Sequence, residues 1–600
     1  VRRAVPVSVF RISSEVVLAS GHFDPNENVR PSSRLMRVES NTTLSRGRGS
    51  AFPVALAALL LAQALYIVVF IRTTSFVIDG ERYYSLMDDA MISMRYAENI
   101  ATGRGAVWNP GGERVEGFTN PLWTGWMALV HLMKLPKSHV SVVVQATSGV
   151  LLIGIAIVAW WLARRIAEER LGESAPSEAS EIAGLAAAGL CAFYLPLANW
   201  ALQGMEVGAL ALLVALAVAL AVRALKRGTV SRAAYLLLAL ATWIRIDAVV
   251  SHVALLAYLV AVDRARRRDH LAWGLGSLAL FLGVQTVARL LYYGDVLPNT
   301  FYLKLTGFPL HLRISRGAIV FAQFVAHSNW LLIVFPFMAF AFLRSRALGL
   351  VLSIFAAQCA YSVWVGGDAW EWWGGANRYI AVTMPLFFAA LAATASLAAT
   401  RALAAWRARG TSTRGGPDPA SANAGARSHR FATTACALLF ASLAIVSVNG
   451  VRDVESLRQW LLRKPPLLVA ENRDKVRLGL LLRERTPAGA TIAVVWAGAI
   501  PYFAERNAID LLGKADRTIA RQPSRPIAGR SKWYVYFPGH MKWDPGHSIG
   551  TLHPDVVTQL WGNGSEAEEY LRADYAPIQV EEFTVWVRRG FEHLVAARPS

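Results

Sequence analysis

Two adjacent carboxylates, Asp88 and Asp89, follow the first long apolar stretch of this 600-residue chain. They precede a segment, 90–100, in which Ile92, Tyr96 and Ile100 fall on one side of a helix. Carboxylates are favoured at a helix N-terminus, where unpaired amides and the macrodipole attract negative charge. Capping is therefore one role open to the pair. The other is chemical, because a carboxylate beside a hydroxyl can take its proton as a general base. The second carboxylate could orient the hydroxyl-bearing molecule or contact a divalent cation. Arg245, Lys304 and Arg378 stand at or beside the ends of apolar runs, where a cation can meet a phosphate at a membrane surface. His252 is a weaker candidate for the same task. Arg245 could instead pair with Asp247 or reach toward the interface, and Lys304 and Arg378 could be interfacial anchors.

The elements that must position these groups are membrane helices. Hydrophobic residues make up 54% of the chain and charged residues 17%, below the roughly 25% usual for soluble proteins. Apolar runs at 52–71, 140–163, 182–202, 207–222, 271–291, 318–343, 348–365, 380–399 and 431–448 are each a candidate crossing. The stretch 233–262 is long enough for two short crossings broken near Arg245 and Asp247, which brings the expectation to about eleven spans. The net charge of +20 would suit nucleic acid. The excess Arg and Lys sits in short turns between apolar runs, however, which is the positive-inside pattern and argues for a membrane and no nucleic acid. Arg46 and Arg48 place the N-terminus in the cytoplasm. The basic groups at 164–170, 223–232, 264–268, 344–346 and the Ala/Gly/Ser-rich 401–430 loop then share that side. This alternation requires 122–135, about 14 residues, to be a surface helix rather than a crossing. The segments 72–135, 203–206, 245–247, 292–316, 366–379 and everything after 450 fall together on the outer face. Residues 1–50 read as a disordered basic leader or an over-extended gene start, 51–449 as the membrane domain and 450–600 as an outer α/β domain. Cys191, Cys359 and Cys436 lie inside apolar segments and read as packing residues.

One set of motifs resembles a known family. The first outer loop carries Asp88-Asp89-Ala90, Arg95-Tyr96-Ala97, Asn99, Gly103, Gly105, Asn109-Pro110-Gly111, Arg114-Val115-Glu116-Gly117-Phe118-Thr119-Asn120 and Leu122-Trp123. Further matching stretches are Gly294-Asp295, Leu297-Pro298-Asn299-Thr300-Phe301-Tyr302, Lys304, Gly366-Gly367-Asp368, Arg378-Tyr379 and Ile509-Asp510-Leu511-Leu512-Gly513. Together, across 52–560, they resemble the terminal arabinofuranosyltransferases of bacterial cell-wall arabinan, within the GT-C class of polytopic glycosyltransferases. The resemblance implies an all-α polytopic membrane domain with a C-terminal soluble α/β domain. It implies inverting transfer from a polyprenyl-phosphate sugar, such as arabinofuranose, to a glycan or glycolipid acceptor. Asp88 or Asp89 would be the base, with Asp88 slightly favoured. Arg95, Arg245, Asp247, Asn299, Lys304 and Arg378 would serve the donor. Glu116, Asn120 and Asp368 in the matching stretches, and Glu371, Trp372, His540 and Lys542 by their own chemistry, are the acceptor-binding candidates. The setting implied is the bacterial inner membrane, with the active site outside the cytoplasm and membrane lipid as a partner.

The 368–378 loop departs from the family pattern in its tryptophans. Trp364, Trp370, Trp372, Trp373 and Tyr379 could form an interfacial aromatic belt, or stack on sugar rings and wall a lipid. Asp368 and Glu371 beside them could bind sugar hydroxyls. Beyond 450, strands are expected at 491–496, 500–503, 532–537 and 580–588, and helices at 473–485 and 565–574. The 538–547 loop carries His540, Lys542, Asp544 and His547. A metal could bind there, but the spacing matches no standard site, and acceptor contacts or a plain surface loop fit it better. No nucleotide-binding motif is readable, as suits a lipid-linked donor. A transporter or flippase for a lipid-linked sugar would share the spans and interfacial charges. It should show inverted repeats, and no clear internal repeat is found. A glycan-binding assembly protein is a third reading.

Overall fold

The computed structural model describes residues 51–171, 178–369, 371, 377–411, 439–466, 469–527, 532–562 and 564–592. The expected leader, Cys436, Trp370, Trp372, Trp373 and most of the 401–430 loop lie outside the described residues. The chain opens with α1 (Ala51–Thr74), a two-stranded ribbon of β1 (Phe76–Ile78) and β2 (Glu81–Tyr83), α2 (Asp88–Ala101) and α3 (Pro121–His131). The helix expected over 90–100 thus starts at Asp88 itself. At 11 residues, α3 is too short to cross a bilayer.

A helical bundle follows. It comprises α4 (Val140–Leu171), α5 (Glu178–Ala192), α6 (Leu195–Leu202), α7 (Val207–Arg227), α8 (Arg232–Ile244), α9 (Ala248–Val262) and α10 (Arg267–Tyr293). The short α11 (Asn299–Leu305) leads to α12 (Leu310–His327), α13 (Trp330–Leu343), α14 (Arg346–Val365), α15 (Arg378–Ala381) and α16 (Met384–Thr411). The last bundle helix is α17 (Leu439–Val448). Helix ends follow local rules. Gly228, Gly294 and Gly366 take positive φ at the C-termini of α7, α10 and α14. Ser231 and Ser345 cap α8 and α14 by accepting from the amides of Ala234 and Leu348.

Six helices among the described residues are long and apolar enough to cross a membrane, or up to eight if each of two bent pairs is one span. The expectation of about eleven also counted α8, α9 and 431–448. Helices α8 and α9 have 13 and 15 residues, short of the ~20 a bilayer core requires. Of 431–448, only α17 is described. The run 318–343, expected as one helix, turns by 92° between α12 and α13. Asn329 sits there at φ 69° and its side chain caps α13 by accepting from the Leu331 amide. The pair α5 and α6 bends by 50°. Pro196 at the start of α6 cannot donate into a continuous helix. Asn449 satisfies the break, accepting from the Leu195 amide at 2.7 Å and donating to the Phe193 carbonyl at 2.9 Å.

The C-terminal region holds α18 (Val454–Trp460), α19 (Val469–Arg485), β3 (Thr491–Val494), α20 (Ala499–Ala504), β4 (Asn507–Asp510) and α21 (Arg517–Ala520). It ends with β5 (Val556–Val557), α22 (Ser565–Asp574), β6 (Tyr575–Val580) and β7 (Phe583–Arg588). The strands form one sheet in the order β4-β3-β5-β7-β6, parallel across β4, β3 and β5 and antiparallel beyond. Two strand expectations are corrected. Residues 500–503 belong to α20, a buried helix whose apolar run is too short for periodicity to tell helix from strand. Residues 532–534 form a single 3₁₀ turn and 535–537 an irregular segment. The first loop and the sheet share one core: Ile92, Tyr96, Trp108 and Phe118 pack with Leu478, Leu481, Ile492 and Val494.

The two ends of the bundle differ in kind. At one end, the Met87 amide donates to the Gln203 carbonyl, Asn120 bonds Glu206, and the Asn299 amide donates to the Glu116 carbonyl. The outer loops expected from charge alternation therefore do meet. At the other end, Glu169 accepts from the Ser345 hydroxyl at 2.6 Å and Arg164 pairs with Glu181 at 2.7 Å, so the basic turns also gather.

Candidate active site

Neighbouring aspartates point to different partners. Asp88 is buried, and its carboxylate accepts from the backbone amides of Gly498 at 3.2 Å and Ala499 at 3.0 Å. It therefore ties the start of α2 to the start of α20. Only glycine fits at 498, because a Cβ there would stand 2.0 Å from the Asp88 carbonyl oxygen. Asp89, one residue further round the helix, accepts from Lys514 Nζ at 3.0 Å and from Arg378 Nη2 at 3.4 Å. Burial pushes its pKa up, but Lys514, Arg378 and Lys304 outweigh burial and hold it well below the usual carboxylate range.

Each partner of Asp89 is itself positioned. Arg378 opens α15, capped by Asn377, and grips Asp368 with two bonds of 2.6 and 2.9 Å. This fork geometry makes a charge-assisted pair strong and directional. Burial raises the Asp368 pKa, but Arg378 overrides it and keeps the carboxylate ionised. Lys514 stands on the turn after β4. There Asp510 accepts from the Leu512 amide at 3.0 Å and the Ala515 amide at 2.7 Å, and Gly513 takes φ 75°. Asn299 closes the turn from outside, donating to the carbonyls of Gly513, Lys514 and Asp516.

A second network lies alongside. Arg245 pairs with Glu206 at 2.8 Å and Asp247 at 2.6 Å and lies 5.2 Å from the centre of the Tyr379 ring. Glu206 also accepts from Asn120 at 2.8 Å, and Asn120 accepts from Ser93 and Thr124. Helices α8 and α9, which carry this turn, rise only about 20 Å at 1.5 Å per residue. Arg316 holds the 366–368 loop through the carbonyls of Gly366 and Asp368 and lies 3.7 Å from Glu371. Glu371 is pushed up to about 8 by burial, against the opposing pull of Arg316.

Lys304 differs from the other cations. Among the described residues its ammonium has neither a hydrogen bond nor a carboxylate ion pair, although it lies within electrostatic reach of Asp89, Asp368 and Arg378. Burial, then repulsion from Arg378, lower its pKa to about 8.

The remaining sequence candidates serve as clamps. Arg95 donates to the carbonyls of Trp108, Pro501 and Arg506 and to Asn109, which fastens the first loop to the C-terminal region. Glu116 is paired with Arg289. Lys542 donates to the carbonyls of Tyr302 and Ala520 and to the Thr306 hydroxyl. His540 bonds the Pro538 carbonyl through Nδ1 and sits between Phe537 and Trp561, with burial lowering its pKa to about 3. Its loop touches the site, since a Cβ on Gly539 would lie 3.2 Å from Lys304 Cε. His547 reaches Asp516 instead, and Asp544 accepts from the His547 amide. No group of three His, Cys, Asp or Glu side chains suited to a metal occurs among the described residues. His252 bonds the Gly274 carbonyl within the bundle. Trp372 lies outside the described residues. Sequence reasoning missed Lys514, Glu206 and Arg316. Lys514 directly follows the recognised 509–513 stretch, which was the available signal.

Residues 467–593, which include Lys514 and His540, match the model of a domain of unknown function (DUF8728). No curated protein sequence matches the chain. Among solved structures, the fold is similar to ArnT from Cupriavidus metallidurans in the apo state, at 12% identity and a TM-score of 0.45, covering 89% of this chain and 98% of that one. It is similar to the same ArnT bound to undecaprenyl phosphate, at 12% identity and 0.45, covering 91% and 99%. It is also similar to the archaeal oligosaccharyltransferase AglB from Archaeoglobus fulgidus in complex with an inhibitory peptide and a dolichol-phosphate, at 11% identity and 0.47, covering 90% and 74%. Likeness at this level carries no functional assignment.

Proposed function

We propose that this chain is a polytopic membrane glycosyltransferase of the GT-C kind, moving a sugar from a polyprenyl-phosphate donor to a glycan or lipid acceptor. The observation that carries the reading is Asp89, held ionised between Lys514 and Arg378, with the carboxylate-free ammonium of Lys304 beside it.

The base is Asp89 rather than Asp88, because the Asp88 carboxylate is already bonded to two amides. In the reaction, the acceptor oxygen attacks the anomeric carbon and its proton passes to Asp89. The bond from that carbon to the phosphate oxygen breaks on the opposite face, which inverts the configuration. The leaving polyprenyl phosphate gains a negative charge, and Lys304 meets it. A carboxylate gripped by two cations is a weak base. The arriving donor phosphate competes for Lys304, Lys514 and Arg378, which loosens their hold on Asp89 and raises its basicity. Asp368 orients Arg378, and Glu206 with Asp247 orients Arg245. With the basic turns cytoplasmic by the positive-inside rule, the site opens outside the cytoplasm of a bacterial inner membrane. Arabinofuranose is the first sugar to test, from the motif resemblance.

The test is transfer of radiolabel from a panel of polyprenyl-phosphate sugars to glycan acceptors by the purified protein in lipid. Label moving from one donor, and lost in Asp89→Asn, supports the reading. Failure to bind any such donor overturns it.

A further inference from the structure

At the basic end of the bundle, opposite Asp89, lies a cavity of about 1010 Å³. This is at the upper limit of ordinary small-ligand pockets, which run to roughly 1,000 Å³. Its main wall is one face of α7. Leu216, Ala219, Leu220, Arg223, Lys226 and Arg227 recur at helical spacing, so the face is apolar deep in the bundle and cationic at its mouth. Trp161 and Arg165 of α4 face it, and Arg346 stands at the start of α14.

The two carboxylates that line the cavity are already committed. Glu168 pairs with Arg165 at 2.7 Å. Glu169 caps α14, accepting from the Ser345 hydroxyl and the amides of Arg346 and Ala347. Arg223 and Arg227 form no ion pair among the described residues and are exposed. Among the described residues, Arg223 and Arg227 therefore leave the mouth with cations unmatched by its carboxylates, above walls that hydrocarbon would wet.

We infer that this cavity binds an anionic phospholipid of the leaflet on the basic side, with the phosphate at Arg223 and Arg227 and the acyl chains along Leu216, Ala219 and Leu220. The charge gradient along α7 matches a lipid from headgroup to tail. A soluble anion would leave the apolar wall uncovered, and an acidic protein would not reach down it. The inference is independent of the transfer reaction.

The experiment is native mass spectrometry of the delipidated full-length protein, incubated with palmitoyl-oleoyl phosphatidylglycerol or with phosphatidylcholine of the same chains. Wild type should retain phosphatidylglycerol about tenfold better, as expected for a few basic side chains near a headgroup. The Arg223→Gln/Arg227→Gln protein should lose that preference while still retaining either lipid weakly. Ala219→Trp, which narrows the apolar wall and keeps the charges, should weaken retention of both. Equal retention of the two lipids by wild type overturns the inference, as does a preference that persists in both variants.

Discussion

Substituting the two adjacent aspartates one at a time separates positioning from chemistry. Asp88→Asn replaces two charge-assisted bonds, at 3.0 and 3.2 Å, with the weaker acceptor of a neutral amide. Each charge-assisted bond contributes about 1.5–3 kcal/mol, and a neutral one about half. The amide also turns its NH₂ toward a backbone N–H. The expected net loss is about 2–4 kcal/mol, felt where α2 meets α20. Asp89→Asn removes a charge from between Lys514 and Arg378. Lys514 keeps the attraction of Asp88 and Asp510, and Arg378 keeps Asp368. The fold at 89 should therefore tolerate the change far better than at 88. Transfer should not tolerate it, since a general base typically contributes 10²–10⁴-fold in rate. The assay pairs thermal unfolding in detergent and limited proteolysis of the C-terminal region with single-turnover transfer from the labelled donor. Asp88→Asn should unfold earlier and be cleaved faster. Asp89→Asn should melt near wild type and transfer about 10²–10⁴-fold more slowly. Wild-type transfer by Asp89→Asn, or an Asp88→Asn protein of normal stability and no activity, would refute the assignment.

Lys304→Met should weaken donor binding by about 10–100-fold, the worth of one hydrogen bond to a charged group, measured by titration with the lipid-linked donor. The pH dependence of the same titration has a definite sign. Lys304 is charged below its pKa of about 8 and neutral above it, so affinity should fall as pH rises through that value. Bound phosphate stabilises the ammonium and moves the midpoint upward, so a pH-independent affinity between 7 and 9 would count against Lys304. Arg378→Lys keeps a positive charge but loses the fork on Asp368, so kcat should fall more than KM rises. Gly498→Ala would drive a methyl onto the Asp88 carbonyl. It should reproduce the Asp88→Asn stability defect without touching a charge, as thermal unfolding will show.

Much of the local structure was legible in the chain. Long apolar runs specify membrane helices because backbone amides in hydrocarbon must be satisfied within the segment. Basic turns sorted the loops into two groups, and those groups do meet at opposite ends of the bundle. The 92° turn at Asn329 was hidden, because hydropathy registers composition and not the φ of one residue. The helix at 499–504 was hidden for a related reason, being a short buried run without usable periodicity.

The site divides in the same way. The sequence by itself placed Asp88, Asp89, Arg245, Lys304, Asp368 and Arg378 in or beside the segments between long apolar runs, because charge and hydropathy are local properties. Only the tertiary structure decided which aspartate faces the cations. It fastened Asp88 to the amides of α20, more than four hundred residues away along the chain, and brought Lys514 across a similar separation to Asp89. It also tied Arg95, Asn299 and Lys542 to backbone carbonyls of distant segments. Long-range pairing of this kind depends on how helices and sheet pack, and no spacing within a single segment encodes it.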